Sequence, residues 1–180
     1  MPRSASPLSL LSLLLLAPSL ALTAQSAPPK LSDPEVAHVA VTANTIDIDA
    51  AKLAQSKTRN TDVKQFAATM IADHSAVNAQ ATALATKLGV TPKVNDVSQS
   101  LLKGASDART TLEPLNGKAF DKAYIRREVS YHQAVLDALD KMLIPDASNA
   151  ELKKLLTDVR PAFVAHLEHA KQIQGALGGK

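Results

Sequence analysis

The chain has 180 residues, enough for one domain of ordinary size, and is 46% hydrophobic but only 3% aromatic. Its 20 basic and 17 acidic residues are interspersed and leave a formal charge of +3; with no basic patch and no aromatic platform, nucleic-acid binding has no support. The absence of cysteine excludes disulfides, thiolate metal sites, thiol catalysis and a lipid-anchored cysteine, and six Gly with ten Pro leave little room for a turn-rich all-β fold.

Met1-Pro2-Arg3, the apolar run from Leu8 to Leu22 and the small residues Ala24-Gln25-Ser26-Ala27 have the basic, apolar and cleavable regions of a secretory signal. The run is interrupted by Ser12, Pro18 and Ser19 and falls short of the roughly 20 apolar residues of a spanning helix. The expectation is therefore an exported protein, with 1–26 removed and 27–31 as a linker. Its destination is the periplasm, with outer-membrane association as the other possibility, and no later segment can span a membrane.

A first helix is expected from Ser32-Asp33-Pro34-Glu35, where Ser32 and Glu35 can form a capping box and Pro34 suits the first turn, to about Lys57. Its core stripe reads Val36, Val39, Ala43, Ile46, Ala50, Leu53, and Asp47 interrupts an overlapping stripe of alanines. Arg59-Asn60-Thr61-Asp62 turns the chain back into a second helix. That stripe is Val63, Ala67, Met70, His74, Val77, Ala81, Leu84, Leu88, and Gly89 with Pro92 stops it.

The least regular stretch, from Val90 to Gly117, predicts a crossover with its own short helix around Val97 to Ala105, extending toward Leu112. A third helix is expected from Lys118 to Ile144, before Pro145, with the stripe Asp121, Ile125, Glu128, His132, Val135, Leu139, Met142. A fourth starts at Ser148 with Glu151 as a second capping box, and Pro161 should kink it. Its stripe is Leu152, Leu155, Val159, Phe163, His166, Ala170, Ile173, Leu177, and Gly178-Gly179-Lys180 should fray. Two helical hairpins of this kind predict an all-α antiparallel four-helix bundle over 32–177.

Three of the five histidines thus replace an aliphatic residue on three different core stripes, and the remaining helix offers Asp47. Counted from the turns, Asp47, His74 and His132 lie within about one helical turn of one level, and His166 lies about a turn and a half deeper. His74, His132, His166 and Asp47 are the candidate ligands of one divalent transition metal such as zinc, iron, copper or manganese. Asp49, Glu128 and His169 are reserve ligands. The competing reading is a structural network in which each imidazole donates to a carboxylate or to Tyr131.

The spacing Glu35-x-x-His38 occurs in di-metal bundles but falls on the surface of the first turn, and Asp73 reads as solvated or capping. No nucleophile elbow, phosphate loop or HExxH helix occurs, so no catalytic residue is assigned.

Ile46-Asp47-Ile48-Asp49 with Lys52-Leu53-Ala54, Val63 to Ala67, Met70 to His74, Phe120 to Tyr124, Val129 to His132 and Arg160-Pro161 with His166-Leu167 resemble an exported bacterial family, domain of unknown function four-one-four-two. The resemblance spans about Ser32 to Leu177. It implies a ferritin-like bundle, secreted, periplasmic or outer-membrane in location, and brings no activity with it. Where the family usually carries Glu in the first helix, this chain has Asp47 and Asp49. The full Glu and Glu-x-x-His set of a di-iron site is missing.

The sequence thus points to a binding role for a metal ion or small ligand in the cell envelope. A structural or envelope-protein interaction role is one alternative. A redox or peroxide-consuming metalloenzyme, which would need Asp49 and Glu128 as paired carboxylates, is the other.

Overall fold

The computed structural model describes residues 30–178. The expected signal at 1–26, most of the linker and the last two residues lie outside them. The described elements are all helical: α1 (Asp33–Lys57), α2 (Thr61–Leu88), α3 (Asp96–Leu112), α4 (Gly117–Ala138), a π-helical turn (Leu139–Leu143), the short α5 (Ile144–Asp146) and α6 (Ala150–Gly178). Among the described residues, no helix is long and apolar enough to cross a membrane.

Local chemistry explains most of the boundaries. Glu35 accepts hydrogen bonds from the Ser32 N–H at 3.0 Å and hydroxyl at 2.6 Å, with Pro34 in the first turn of α1. Asn60 Oδ1 accepts from the Asp62 and Val63 N–H groups, opening α2, and Gly89 closes it with φ 65°, a left-handed conformation that a Cβ would strain. Asn95 and Ser98 cap α3 reciprocally, and this helix reaches Leu112 as the longer expectation had it.

Two expected boundaries are corrected. The helical path does not stop before Pro145 but runs through it to Asp146, because the π turn places Pro145 in the first turn of α5, where its missing N–H costs nothing. The expected box of Ser148 with Glu151 does not form. Asn149 is the cap of α6, accepting from the Glu151 and Leu152 N–H groups, while the Ser148 and Asn149 N–H groups donate to Asp33 of α1. Pro161 lies inside α6, which continues on both sides of it, and Gly178 is its last residue.

Paired contacts give the helix directions. Asn44 meets His74, Thr45 meets Asn78 and Gln55 meets Lys64, so α1 and α2 run antiparallel. Asp140 with Arg160, and His132 beside His166, make α4 and α6 antiparallel as well. α3 packs along α1, which also touches α4, so α1 is covered on several sides. That is why Ala51 and Ala54 are fully buried whereas the expected Ala50 and Leu53 are half-buried.

The core has two apolar parts. One gathers Ala51, Phe66, Met70, Phe120, Tyr124 and Ile173; the other gathers Val36, Val39, Leu139, Leu143, Leu156 and Phe163. Each fully buried large side chain contributes about 1.5–3 kcal/mol by leaving water. Between these two parts, on each of α1, α2, α4 and α6, stands a buried polar or charged residue.

Candidate metal centre

His74 of α2, His132 of α4 and His166 of α6 meet in that intervening layer, and all three are buried. Their ring centroids lie 5.3–5.7 Å apart, and one ring nitrogen from each lies within 4.8 Å of the other two. The depth mismatch expected for His166 disappears. With α5 carrying the helical path to Asp146 and α6 starting at Ala150, both histidines sit roughly four to five turns from their connection.

Each imidazole spends one nitrogen on an outer acceptor. His74 Nδ1 donates to Asn44 Oδ1 at 2.7 Å, His132 Nδ1 to the Glu128 carbonyl at 3.1 Å, and His166 Nε2 to Asp73 Oδ2 at 2.9 Å. The other nitrogens, His74 Nε2, His132 Nε2 and His166 Nδ1, are buried without a hydrogen-bond partner. A neutral imidazole that donates from one nitrogen carries its lone pair on the other, so His132 and His166 each present a bare lone pair in this layer, while His74 turns its Nε2 toward Asp47. Outer acceptors that hold the tautomer in this way are the usual support of histidine ligands.

Asp47 is fully buried beside them. Its Oδ1 accepts from Arg127 Nη1 at 2.7 Å; its Oδ2 lies 3.1 Å from His74 Nε2 without hydrogen-bond alignment. With His74 Nδ1 donating to Asn44, a proton on His74 Nε2 or a metal ion between the two facing atoms satisfies both. Burial pushes the Asp47 carboxyl up, but contact with His74 and the charge of Arg127 overcome it and hold it well below the usual carboxylate range.

Glu128 is also fully buried, accepts from the same Arg127 Nη1 at 2.6 Å, and keeps Oε2 unpartnered. Burial raises its carboxyl well above the ordinary range, Arg127 opposes this, and the charge of Asp47 adds to it. Burial lowers His132 to about 4 and lowers His166 as well, so both are neutral at pH 7, the form that ligates. Asp47, Glu128 and His132 form a second group of converging donors. Arg127 sits against both carboxylates there, so a metal ion is better placed on the imidazole side.

The reserve residues fall elsewhere. Asp49 is exposed on α1, 3.6 Å from Lys52, too far out to pair with Glu128, because it lies two residues from Asp47 on a different helix face. His169 packs edge-on against Phe66, 5.4 Å between centroids, and makes no part of the three-nitrogen group. His38 is half-buried and contacts Thr42. Tyr131, an expected imidazole partner, instead donates to the Ala43 carbonyl at 2.8 Å and carries the Arg127 guanidinium on its ring at 4.1 Å.

Three participants were missed in the sequence. Asp73, read as solvated or capping, reaches over to α6 from beside His74. Asn44 lies three residues before Asp47, one turn away on a nearby face. Arg127, adjacent to Glu128, reads as an ordinary surface charge until the fold turns it inward.

The family described as Domain of unknown function (DUF4142) matches residues 18–173. The chain belongs to the DUF4142 family. A comparison of this DUF4142 chain with curated proteins finds no match. Among solved structures it is similar to CopM in the Cu(II)-bound form, with 16% identity, a TM-score of 0.62, and coverage of 82% of this chain and 99% of that one. The Ag-bound form of CopM gives 18% identity, a TM-score of 0.62, and coverage of 82% and 98%. A DUF305 protein from Streptomyces coelicolor, described as secreted, gives 10% identity, a TM-score of 0.69, and coverage of 81% and 93%. At these identities the likeness is one of fold.

Proposed function

We propose that this DUF4142 chain is an exported protein, periplasmic in location, that binds one transition-metal ion through His74, His132 and His166, with Asp47 beside the ion. The fold assigned to it is the ferritin-like four-helix arrangement of the α1–α2 and α4–α6 hairpins. The observation that carries the metal reading is the set of three buried, unpartnered nitrogens, each on a ring whose other nitrogen is held by an outer acceptor. A tetrahedral site with bonds of about 2 Å places its donors roughly 3.4 Å apart, so the rings draw together on binding.

Imidazole donors suit copper or zinc, and Arg127 beside the carboxylates disfavours the hard, oxygen-seeking ions. That one protein of similar fold, CopM, was solved with Cu(II) and with Ag supports the same class of ion.

The test uses protein purified without a histidine tag, dialysed against Cu(II) or Zn(II), beside a His74→Ala/His132→Ala variant. One ion per chain in the parent and none in the variant is expected. Equal, negligible metal in both would overturn the reading. A bound ion should also raise thermal stability, by about 2.7 kcal/mol at a free concentration one hundred times Kd.

The second reading is a non-catalytic bundle whose polar layer specifies packing, and the buried ion cluster of Arg127 with Asp47 and Glu128 favours it. It requires that histidine variants change stability and leave metal content unaltered. A peroxide-consuming centre has less to stand on, since Asp49 and Glu128 are apart.

A further inference from the structure

Next to the polar layer, α1, α2, α6 and the π turn enclose an apolar cavity of about 80 Å³. Ala40, Ala81, Leu84, Leu139 and Leu156 contribute to its wall, and Phe163, whose ring stacks on His74 at 5.1 Å and 14°, contributes too. Voids larger than a few water molecules are uncommon inside a domain of this size. A π turn forming part of a cavity wall is a second irregularity at one place, and such turns concentrate at functional positions.

The cavity has one polar feature toward the histidines. Asn44, 4% exposed, lines it. Its Oδ1 accepts from His74, so the side-chain N–H groups are what it can offer to an occupant. The ionisable residue that also lines the cavity, Asp33, is occupied by the N–H groups of Ser148 and Asn149. Asn149 lines it beside Asp33 and spends its Oδ1 on the cap of α6, so toward the histidines the lining offers the Asn44 amide and no counter-charge for an ion. On the α2 side Ala81, Leu84 and Leu88 are only half-buried, so the cavity opens between α2 and α6. There Lys87 and Glu151, each next in sequence to a lining leucine, pair across the two helices.

We propose that this cavity is a binding site for a small neutral molecule of roughly half a dozen heavy atoms, apolar except for one carbonyl or hydroxyl oxygen that accepts from Asn44. The size follows from about 10–15 Å³ of such volume per water-sized occupant. The occupant enters past the Lys87–Glu151 pair, lays its chain along the alanine and leucine wall, and brings its oxygen to the layer that holds His74. This site is independent of whether a metal ion binds the imidazoles.

The test is an NMR titration of the full chain with 2-pentanone, with n-pentane as the match that lacks the oxygen. Saturable shifts confined to the methyl groups of the lining residues and the Asn44 side-chain amide are expected, with 2-pentanone binding more tightly than n-pentane. Ala81→Phe, which fills the cavity from α2, should weaken binding by about tenfold or more, which is about 1.4 kcal/mol. Ala40→Leu fills it from α1 and serves if the first variant does not fold. Absence of saturable shifts in the parent, or unchanged binding in a folded cavity-filling variant, would overturn the proposal. Equal affinity for the two probes would remove the role of Asn44 that it includes.

Discussion

Asp73 and His166 join α2 to α6 through a single hydrogen bond, Nε2–H to Oδ2 at 2.9 Å, and this bond leaves Nδ1 of His166 bare among the other imidazoles. The carboxylate is 49% exposed while the imidazole is 7% exposed, so one partner belongs to the surface and the other to the buried layer. Removing the carboxylate frees the ring to rotate. Asp73→Ala should weaken metal binding about 10- to 100-fold while changing folding stability by no more than about 1 kcal/mol. A competition titration against a chelator measures the first, and urea unfolding the second. A large loss of stability with unchanged metal affinity would assign the pair to packing alone.

Arg127 is the counter-ion of the layer. Arg127→Met leaves Asp47 buried and charged with no guanidinium, and should cost about 3–5 kcal/mol. Adding Asp47→Asn to that variant removes the stranded charge and should restore part of the loss. Chemical denaturation of the two variants beside the parent checks the order.

The neutral histidines give the metal-free protein a defined acid response. Burial, reinforced by the neighbouring His74 and His166 and opposed by Asp47, lowers His132 from 6.5 to about 4. Between those values the unfolded chain takes up a proton that the folded chain refuses, so stability falls as pH drops from about 6.5 to about 4. Below that the response of this residue levels off. The full effect is about 3 kcal/mol, and His166, lowered for the same first reason of burial, adds in the same direction. Thermal unfolding of chelator-treated protein across this range measures it, and His132→Gln should flatten the curve.

Asn60 caps α2 with two hydrogen bonds to Asp62 and Val63 at an exposed turn far from the histidines. Asn60→Ala should cost about 1 kcal/mol and leave metal binding as in the parent. Urea unfolding combined with the chelator titration separates the two, so the variant serves as a control for destabilisation without damage to the site.

The sequence by itself determined the helices and three histidines of the layer. Apolar residues spaced three and four apart mark helix faces wherever they occur, and capping pairs such as Asn60 with its two N–H donors are local events. An imidazole at His74, His132 or His166 stands out because it breaks a run of aliphatic residues. Tertiary structure decided what those imidazoles touch. Asp73 lies off the stripe of α2 and acquires a role only because α6 passes beside it. Arg127 looks like a solvent-facing charge until α1 and α4 close over it and its two carboxylates. Asp49 and Asp47 are alike in the sequence and differ entirely in burial, because two residues along a helix is more than half a turn around it. Burial of those side chains, and the lone pairs it leaves bare, depends on four helices meeting at one level, which no single stretch of the chain encodes.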